Sequence, residues 1–220
     1  LYLSIARPDS LFITDLQEKF QTAGIEVKNS NLGQLPETTW FHYPSDYLGD
    51  IVHSLNVRSD NLYAESVLRL LSLSVHEKGS AEKGIDIIRK YWQNYEADSL
   101  ELFMYDGSGL ARNNKVSAKY LNCVLKETAR DSLIGEYFVQ TLPLAGKEGS
   151  VATFMKHGEL PGELRLKSGS MSDVHAYAGY YTTPQNRYAI VVMINNYTCT
   201  RAQLKQKIST LLTQVLSKKE

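Results

Sequence analysis

The chain has 220 residues, of which 43% are hydrophobic, and it carries 24 basic and 24 acidic residues, so that its formal net charge is zero. This composition predicts one or two globular domains and excludes a disordered chain. The balanced charge provides no excess of positive charge that would indicate binding to a nucleic acid or an anionic membrane. No apolar run approaches the roughly 18 residues that cross a bilayer.

The first part of the chain is predicted to be mainly helical. Pro8 opens an amphipathic helix of about 14 residues that stops at Gly24. A second short helix is expected from Tyr47 to Leu55, and the residues Leu62–Leu73 form a strong helical run. Between the first two helices we expect a short strand, Ile25–Val27, and a turn-rich stretch, Asn29–Pro36.

The middle of the chain alternates further helices with one short strand. Helices are expected to begin at Ser80, Ser117 and Ser132, where a hydroxyl can cap the first turn. Leu100–Tyr105 is a short apolar strand, and it ends in the tight turn Asp106–Leu110. The carboxylate of Asp106 can accept backbone N–H bonds within that turn.

The last third of the chain contains three strands followed by a helix. Leu164 and Leu166 alternate with Arg165 and Lys167, as in a strand with one face on a core. The other elements are the strands Tyr177–Thr182 and Tyr188–Asn195, joined by the hairpin turn Pro184–Arg187, and the helix Arg201–Lys218. Neighbouring strands between helices predict an α+β fold, with an antiparallel sheet flanked by helices.

One candidate site follows the first of these strands, at Lys167-Ser168-Gly169-Ser170. A cation, a hydroxyl and a bare backbone in a row suit the capture of a carboxylate beside a strand edge. Gly169 also lets the backbone of another molecule approach closely. The structural alternative is a surface strand that ends at a glycine turn.

A second candidate site lies at Ser59-Asp60-Asn61, directly before the helical run at Leu62. All three residues are good N-cap residues. They also present polar side chains at the positive end of a helix dipole, where a ligand can bind. Capping and a functional role do not exclude each other, because a rigid cap can hold a hydroxyl in place.

Taken together, Ser59-x-Asn61 and Lys167-Ser168-Gly169 resemble motifs of the penicillin-recognising serine enzymes, which carry Ser-x-x-Lys, Ser-x-Asn and Lys-Thr/Ser-Gly in that order. The surrounding sequence is similar to the D-alanyl-D-alanine carboxypeptidase/endopeptidase family, the class C low-molecular-mass penicillin-binding proteins of peptidase family S13. The matching segments are Arg58–Glu65, Asp106–Leu110, Leu142–Gly146 and Lys167–Met171. The resemblance covers essentially the whole chain and implies a β-lactamase/transpeptidase-like fold.

The chain departs from the family pattern at the nucleophile, because no Ser-x-x-Lys precedes Ser59. We therefore expect residues 1–220, which begin with Leu1 and not Met, to be the C-terminal part of a penicillin-binding domain whose N-terminal part carries the nucleophile. Ser80-Ala81-Glu82-Lys83 has the required spacing. It follows Ser59 and lies among charged residues, so we interpret it as a solvated helix cap.

The resemblance implies a role for each motif residue. Ser59 would relay a proton to the departing amine, and Asn61 would hydrogen-bond the backbone amide of the substrate. Lys167 would hold positive charge near the terminal carboxylate and tune the proton network, and Ser168 would donate to that carboxylate. The other expected substrate-binding residues are Gly169, Ser170, whose N–H would be an oxyanion donor, and Asp106 and Ser108, which would shape the wall.

The implied reaction is that of a serine-type D-Ala-D-Ala carboxypeptidase or DD-endopeptidase, which cleaves peptidoglycan peptides through an acyl-enzyme. The expected partners are peptidoglycan stem peptides, with β-lactams as inhibitors and no nucleic acid; a homo-oligomer is left open. The family implies an extracytoplasmic place in the cell envelope and no cofactor. The widely spaced Cys123 and Cys199 give no zinc pattern, and no metal site is expected.

Three other functions are compatible with the sequence. The first is a relative of the same fold, or an inactive fragment, that binds peptidoglycan peptides without catalysis. The second is a binding module in which the strand edge at Lys167 accepts a partner peptide. The third is a β-lactamase, for which no segment offers a deacylating base.

Overall fold

The computed structural model describes residues 8–27, 44–75, 78–95, 101–156 and 160–217, and the chain divides into two compact units, residues 1–44 and 45–220. In the first unit, helix α1 (Pro8–Thr22) ends as predicted at Gly24, whose φ is +73°. The N–H of Ile25 donates to the carbonyl of Phe20 and closes the helix end. The predicted strand at 25–27 is wrong, because this cap uses the N–H of Ile25 and the three residues adopt no regular structure. The turn predicted at Asn29–Pro36 lies outside the described residues.

The second unit confirms the α+β class with an antiparallel sheet flanked by helices. Its elements are α2 (Leu48–Arg58), α3 (Asn61–Leu73), α4 (Ala81–Trp92), β1 (Leu102–Phe103), β2 (Lys115–Val116), α5 (Ala118–Arg130), α6 (Gly135–Thr141), β3 (Glu163–Met171), β4 (Val174–Thr182), β5 (Arg187–Asn195) and α7 (Arg201–Leu216). Strands β3, β4 and β5 form a three-stranded antiparallel sheet in chain order. None of the helices in the described ranges is long and apolar enough to span a bilayer.

One face of the sheet packs against α7. Side chains of a strand alternate between faces, so Leu164, Leu166, Tyr177 and Tyr181 share this side and are buried. They meet four residues of α7 that recur every fourth position, as expected for one helix face: Leu204, Ile208, Leu212 and Leu216. The predicted amphipathic final helix therefore closes the main core.

The opposite face of the sheet packs against α5 and α6. Tyr180 is buried there with Leu125, Val139 and Leu142, and its hydroxyl donates to the carbonyl of Leu125 over 2.7 Å. By the same alternation, Lys167 lies on this face. Lys167 is thus on the side of the sheet that α5 and α6 cover, and not on the side that α7 covers.

Several boundaries in the second unit differ from the predictions; α2 ends at Arg58 and not at Leu55, and β4 begins at Val174 and not at Tyr177. The strand expected from Leu100 to Tyr105 is found only at β1, which pairs with the unpredicted β2; residue 100 lies outside the described ranges. Helix α6 begins at Gly135, three residues later than expected. The reason is that the carboxylate of Asp131 accepts the N–H groups of Leu133 and Ile134 and holds them in a turn.

Candidate active site

Ser59 lies at the junction between α2 and α3. Its φ of 55° and ψ of 50° are left-handed, and its N–H donates to the carbonyl of Leu55 to close α2. This conformation costs a residue other than glycine roughly 1 kcal/mol. The cap of α3 is Asp60, whose carboxylate accepts the N–H of Tyr63 over 3.0 Å. The side chain of Ser59 is therefore not needed as a helix cap and is directed to Lys167.

The structure brings Lys167 to Ser59 although 108 residues separate them. The Nζ of Lys167 donates to the Oγ of Ser59 over 2.8 Å and to the carbonyl of Ser168 over 2.8 Å. Burial lowers the pKa of the Lys167 ammonium from its usual value. The predicted convergence of these two side chains in one crevice is confirmed.

Asn61 lies beside this pair, in the first turn of α3. It is exposed and lines the same cleft as Ser59 and Lys167. A side-chain amide at this place can donate and accept a hydrogen bond, as recognition of a peptide group requires.

The outer edge of β3 forms backbone hydrogen bonds at the start of the strand and borders the cleft at its end. At the start of the strand, Leu166 donates its N–H to the carbonyl of Pro143, and the carbonyl of Leu164 accepts the N–H of Ala145. Alternate residues of a strand direct their backbone groups to the same edge, so Ser168 and Ser170 also direct theirs outward. These two residues lie beyond the segment that pairs with β3 and line the cleft.

Gly169 lies between these two serines on the cleft wall. A Cβ built on it would meet no atom within 4 Å from the described part of the chain beyond its two neighbours. Packing within the chain therefore does not require a glycine here. The bare backbone is open to whatever occupies the cleft.

The predicted wall residues Asp106 and Ser108 have different surroundings. The carboxylate of Asp106 accepts the N–H groups of Gly109 and Ala111 and the side-chain amide of Asn114. It therefore holds the turn together, as predicted, while the cleft is lined by the residues that follow it. Ser108 is one of these lining residues.

Two polar residues of the site had not been identified from the sequence. Glu65 of α3 accepts the N–H groups of Gly107 and Ser108 and the hydroxyl of Ser108 through one oxygen, over 2.8–3.1 Å, and so fixes the wall. Ser150 shares a hydrogen bond of 2.8 Å with the hydroxyl of Ser168. Glu65 lay in a matched segment without a role assigned to it, whereas no sequence signal brings Ser150 to Ser168.

These residues enclose a cleft of about 640 Å³ between the α2–α3 junction, the 107–110 turn and the end of the sheet. Its polar side carries the serine hydroxyls, Asn61 and Lys167. Its apolar side is formed by Leu110, Met171, Val174 and the small residues Ala176 and Ala178. The arrangement offers hydrogen-bond donors, one cation and a strand edge that borders the cleft to an extended peptide with a terminal carboxylate.

No group of three or more His, Cys, Asp or Glu residues in the described ranges is placed to hold a metal ion. Cys123 and Cys199 are not joined by a disulfide. Ser80 caps α4, since its hydroxyl accepts the N–H of Lys83. The Ser80-x-x-Lys83 motif therefore has the structural role that was predicted for it.

Comparison with known proteins identifies the family of this chain. The profile of the D-Ala-D-Ala carboxypeptidase 3 (S13) family matches residues 1–218. The D-alanyl-D-alanine carboxypeptidase DacB of Haemophilus influenzae is 25% identical over 96% of this chain and 46% of its own length. The D-alanyl-D-alanine carboxypeptidase of Actinomadura sp. is also 25% identical, over 82% of this chain and 36% of its own length. The chain thus spans less than half the length of these relatives.

Solved structures share the fold. Penicillin-binding protein 4 of Haemophilus influenzae, in complex with a β-lactam, superposes with a TM-score of 0.75 at 24% identity, over 98% of this chain and 53% of that one. A predatory endopeptidase of Bdellovibrio bacteriovorus, in complex with an immunity protein, superposes with a TM-score of 0.63 at 17% identity, over 98% and 57% of the two chains.

Proposed function

Because the chain belongs to the D-Ala-D-Ala carboxypeptidase 3 (S13) family, we propose that it forms part of a serine-type D-Ala-D-Ala carboxypeptidase or DD-endopeptidase. The substrates would be peptidoglycan stem peptides, and β-lactams would be inhibitors. The reaction would form a serine ester with release of an amine, and water would then hydrolyse the ester.

The observation that carries this proposal is the 2.8 Å contact between the Nζ of Lys167 and the Oγ of Ser59. A hydroxyl held by an ammonium of lowered pKa can pass a proton in either direction, because a hydroxyl both donates and accepts. Ser59 would thus deliver a proton to the departing amine, with Lys167 as the partner that restores it. Asn61 would bind the substrate amide beside this pair.

The edge of β3 would bind the other end of the substrate. Ser168 would donate to the terminal carboxylate, whose charge Lys167 would complement. The outward N–H of Ser170 would stabilise the oxyanion of the tetrahedral intermediate, a contribution of about 3 kcal/mol in comparable sites. Gly169 would leave room for the peptide backbone, and Ser108, with the turn held by Asp106, would shape the wall.

We further propose that residues 1–220 are the C-terminal part of a transpeptidase-like domain and that the nucleophilic serine and its lysine lie in another segment. The cleft has hydroxyls, but none of the residues that line it in the described ranges belongs to a Ser-x-x-Lys sequence. The relatives, which are more than twice as long as the part they share with this chain, leave room for such a segment. An extracytoplasmic location in the cell envelope follows from the substrate.

Substitution of Ser59 in the full-length protein tests this function. We expect Ser59→Ala to reduce release of D-alanine from a peptide ending in D-Ala-D-Ala by at least about a hundredfold, as is typical for the loss of a proton-transfer group. Binding of the peptide, measured by calorimetry, should change little. Ser74→Ala is the matched control, because its hydroxyl donates to the carbonyl of Leu71 within α3.

The second candidate is a peptidoglycan-binding relative without catalysis, which the lack of a Ser-x-x-Lys sequence in the described cleft wall favours. For this function, the wild-type full-length protein would bind the peptide and release no D-alanine. Ser59→Ala and Lys167→Ala would then weaken binding. Turnover by the wild-type protein that survives Ser59→Ala unchanged would also contradict the assigned role of Ser59.

A further inference from the structure

Ser150 lies in the cleft at hydrogen-bond distance from a residue of the Lys167-Ser168-Gly169 motif. Its Oγ is 2.8 Å from the Oγ of Ser168, and the side chain is exposed to the cleft. The hydroxyl of Ser168 donates its proton to the oxygen of Ser150 in this bond. The second proton of the pair is therefore available to a ligand.

The backbone around Ser150 is fixed on the side of α2. Ser150 belongs to a single 3-10 turn, Gly149–Val151, in which Val151 is completely buried. A Cβ on Gly149 would lie 2.1 Å from the carbonyl oxygen of Val57. The turn is thus in close contact with the last turn of the helix that leads to Ser59.

The same segment is also tied to β3. The carboxylate of Glu148 accepts the N–H of Leu144 over 2.8 Å and forms an ion pair of 3.9 Å with Arg165. Residue Ala145 donates its N–H to the carbonyl of Leu164. Ser150 is therefore held in a defined place relative to both walls of the cleft, as a recognition residue must be.

A carboxylate has two oxygens and accepts stronger hydrogen bonds than a neutral hydroxyl does. Near Lys167, it would compete successfully with the bond between the two serines and draw both hydroxyl protons to itself. We propose that Ser150 is a second carboxylate-binding residue, and that it donates to one oxygen of the substrate's terminal carboxylate while Ser168 donates to the other. This inference rests on the proposed function.

The test compares acylation of the full-length protein by benzylpenicillin, which has a free carboxylate, with acylation by its methyl ester, measured as intact mass against time. Loss of a hydrogen bond to a charged group slows reaction by about tenfold or more. We expect Ser150→Ala to slow acylation by the acid by that factor and to leave the ester rate unchanged. Ser150→Thr retains the hydroxyl and should retain the acid rate. Thr153→Ala, a control in the adjoining segment, should affect neither rate.

A double variant separates direct binding from support of Ser168. If Ser150 binds the carboxylate, Ser150→Ala should slow the acid reaction further when it is added to Ser168→Ala. An equal loss for acid and ester, or no additional loss in the double variant, would overturn the inference and leave the proposed function intact. If the wild-type protein reacts with neither compound, both proposals fail. Thermal melting of each variant identifies misfolding.

Discussion

At the level of single residues, the state of Lys167 determines what the site can do. Its ammonium is held by one side-chain hydroxyl and one backbone carbonyl, each over 2.8 Å. Burial lowers its pKa, which makes the neutral amine more accessible than in an exposed lysine. A group of this kind can accept and return a proton during acyl transfer.

Replacing Lys167 with arginine tests this proton exchange. Arginine keeps the positive charge but does not lose its proton in proteins. We expect Lys167→Arg in the full-length protein to slow acylation by benzylpenicillin at least about a hundredfold. Intact-mass spectrometry measures the rate.

Lys90→Arg, at an exposed position of α4, is the control for this substitution and should react like the wild-type protein. A Lys167→Arg variant that reacts at the wild-type rate would show that only the charge of residue 167 matters.

The sequence predicted the residues of this pair, because the two motifs can be identified from their residue types and spacing alone. It did not predict how Ser59 is oriented. The hydroxyl of Ser59 was considered a helix cap, whereas Asp60 has that role and a left-handed φ turns Ser59 toward the strand. Ser150 was missed because its contact with Ser168 depends on how a loop packs, and no periodicity encodes that.

At the level of elements, the junction of α2 and α3 and the 3-10 turn at Gly149 form one wall of the cleft. Gly149 has a φ of 51°, and a Cβ built on it would lie 2.1 Å from the carbonyl oxygen of Val57. A side chain at this position would push the turn away from the helix that positions Ser59. The glycine is thus required by contact as well as by conformation.

We expect Gly149→Ala to destabilise the protein by more than Gly109→Ala does. Both glycines have positive φ, but a Cβ at Gly109 would meet no other described residue within 4 Å, so its substitution measures the backbone cost of about 1 kcal/mol alone. The steric contact at Gly149 should add about 1–3 kcal/mol. Urea unfolding of the full-length variants measures the difference, and equal losses would show that α2 and the turn are not in tight contact.

The interface between α7 and the sheet contains a buried histidine. His175 is 3% exposed, and neither imidazole nitrogen has a hydrogen-bond partner among the residues that the structure describes. Burial, followed by the charges of Lys205 and Arg201, lowers the pKa of the imidazole below 6.5. As the pH falls through the unfolded pKa, the unfolded chain therefore binds a proton that the folded chain does not.

The sign of this linkage predicts that stability decreases as the pH falls below about 6.5 toward the lowered folded pKa. His175→Phe removes the titrating group and keeps an aromatic ring for the edge contact with Tyr177. We expect the free energy of unfolding of this variant to depend less on pH between about pH 7 and pH 5. The measurement is urea unfolding at several pH values, with exposed His53 replaced by Phe as the control. An unchanged pH dependence would contradict the assignment.

Periodicity predicted the long elements well, since α7 and the strands of the main sheet are stabilised by the apolar faces that the sequence displays. It failed for β1 and β2, each of two residues, because so short a pair is determined by the packing of the turn between them. It also placed the start of α6 too early, because a carboxylate of the preceding turn competed for the same N–H groups.

At the level of the whole molecule, the cleft brings together residues that are far apart in the sequence of the 45–220 unit. Ser59 and Asn61 come from its first helices, and Lys167 and Ser168 come from a strand more than a hundred residues later. Family relatives share this fold but extend well beyond the length of this chain. The central claim is that the cleft supplies proton transfer and substrate binding to a nucleophile carried by another segment.

The most direct test is to locate the acylated residue. The full-length protein is incubated with benzylpenicillin and digested, and the modified peptide is identified by mass spectrometry. We predict one adduct, on a serine followed three positions later by lysine and located before Leu1, and we predict that Ser59→Ala slows its formation. An adduct on Ser59, Ser80 or Ser150, or no adduct at all, would contradict the account.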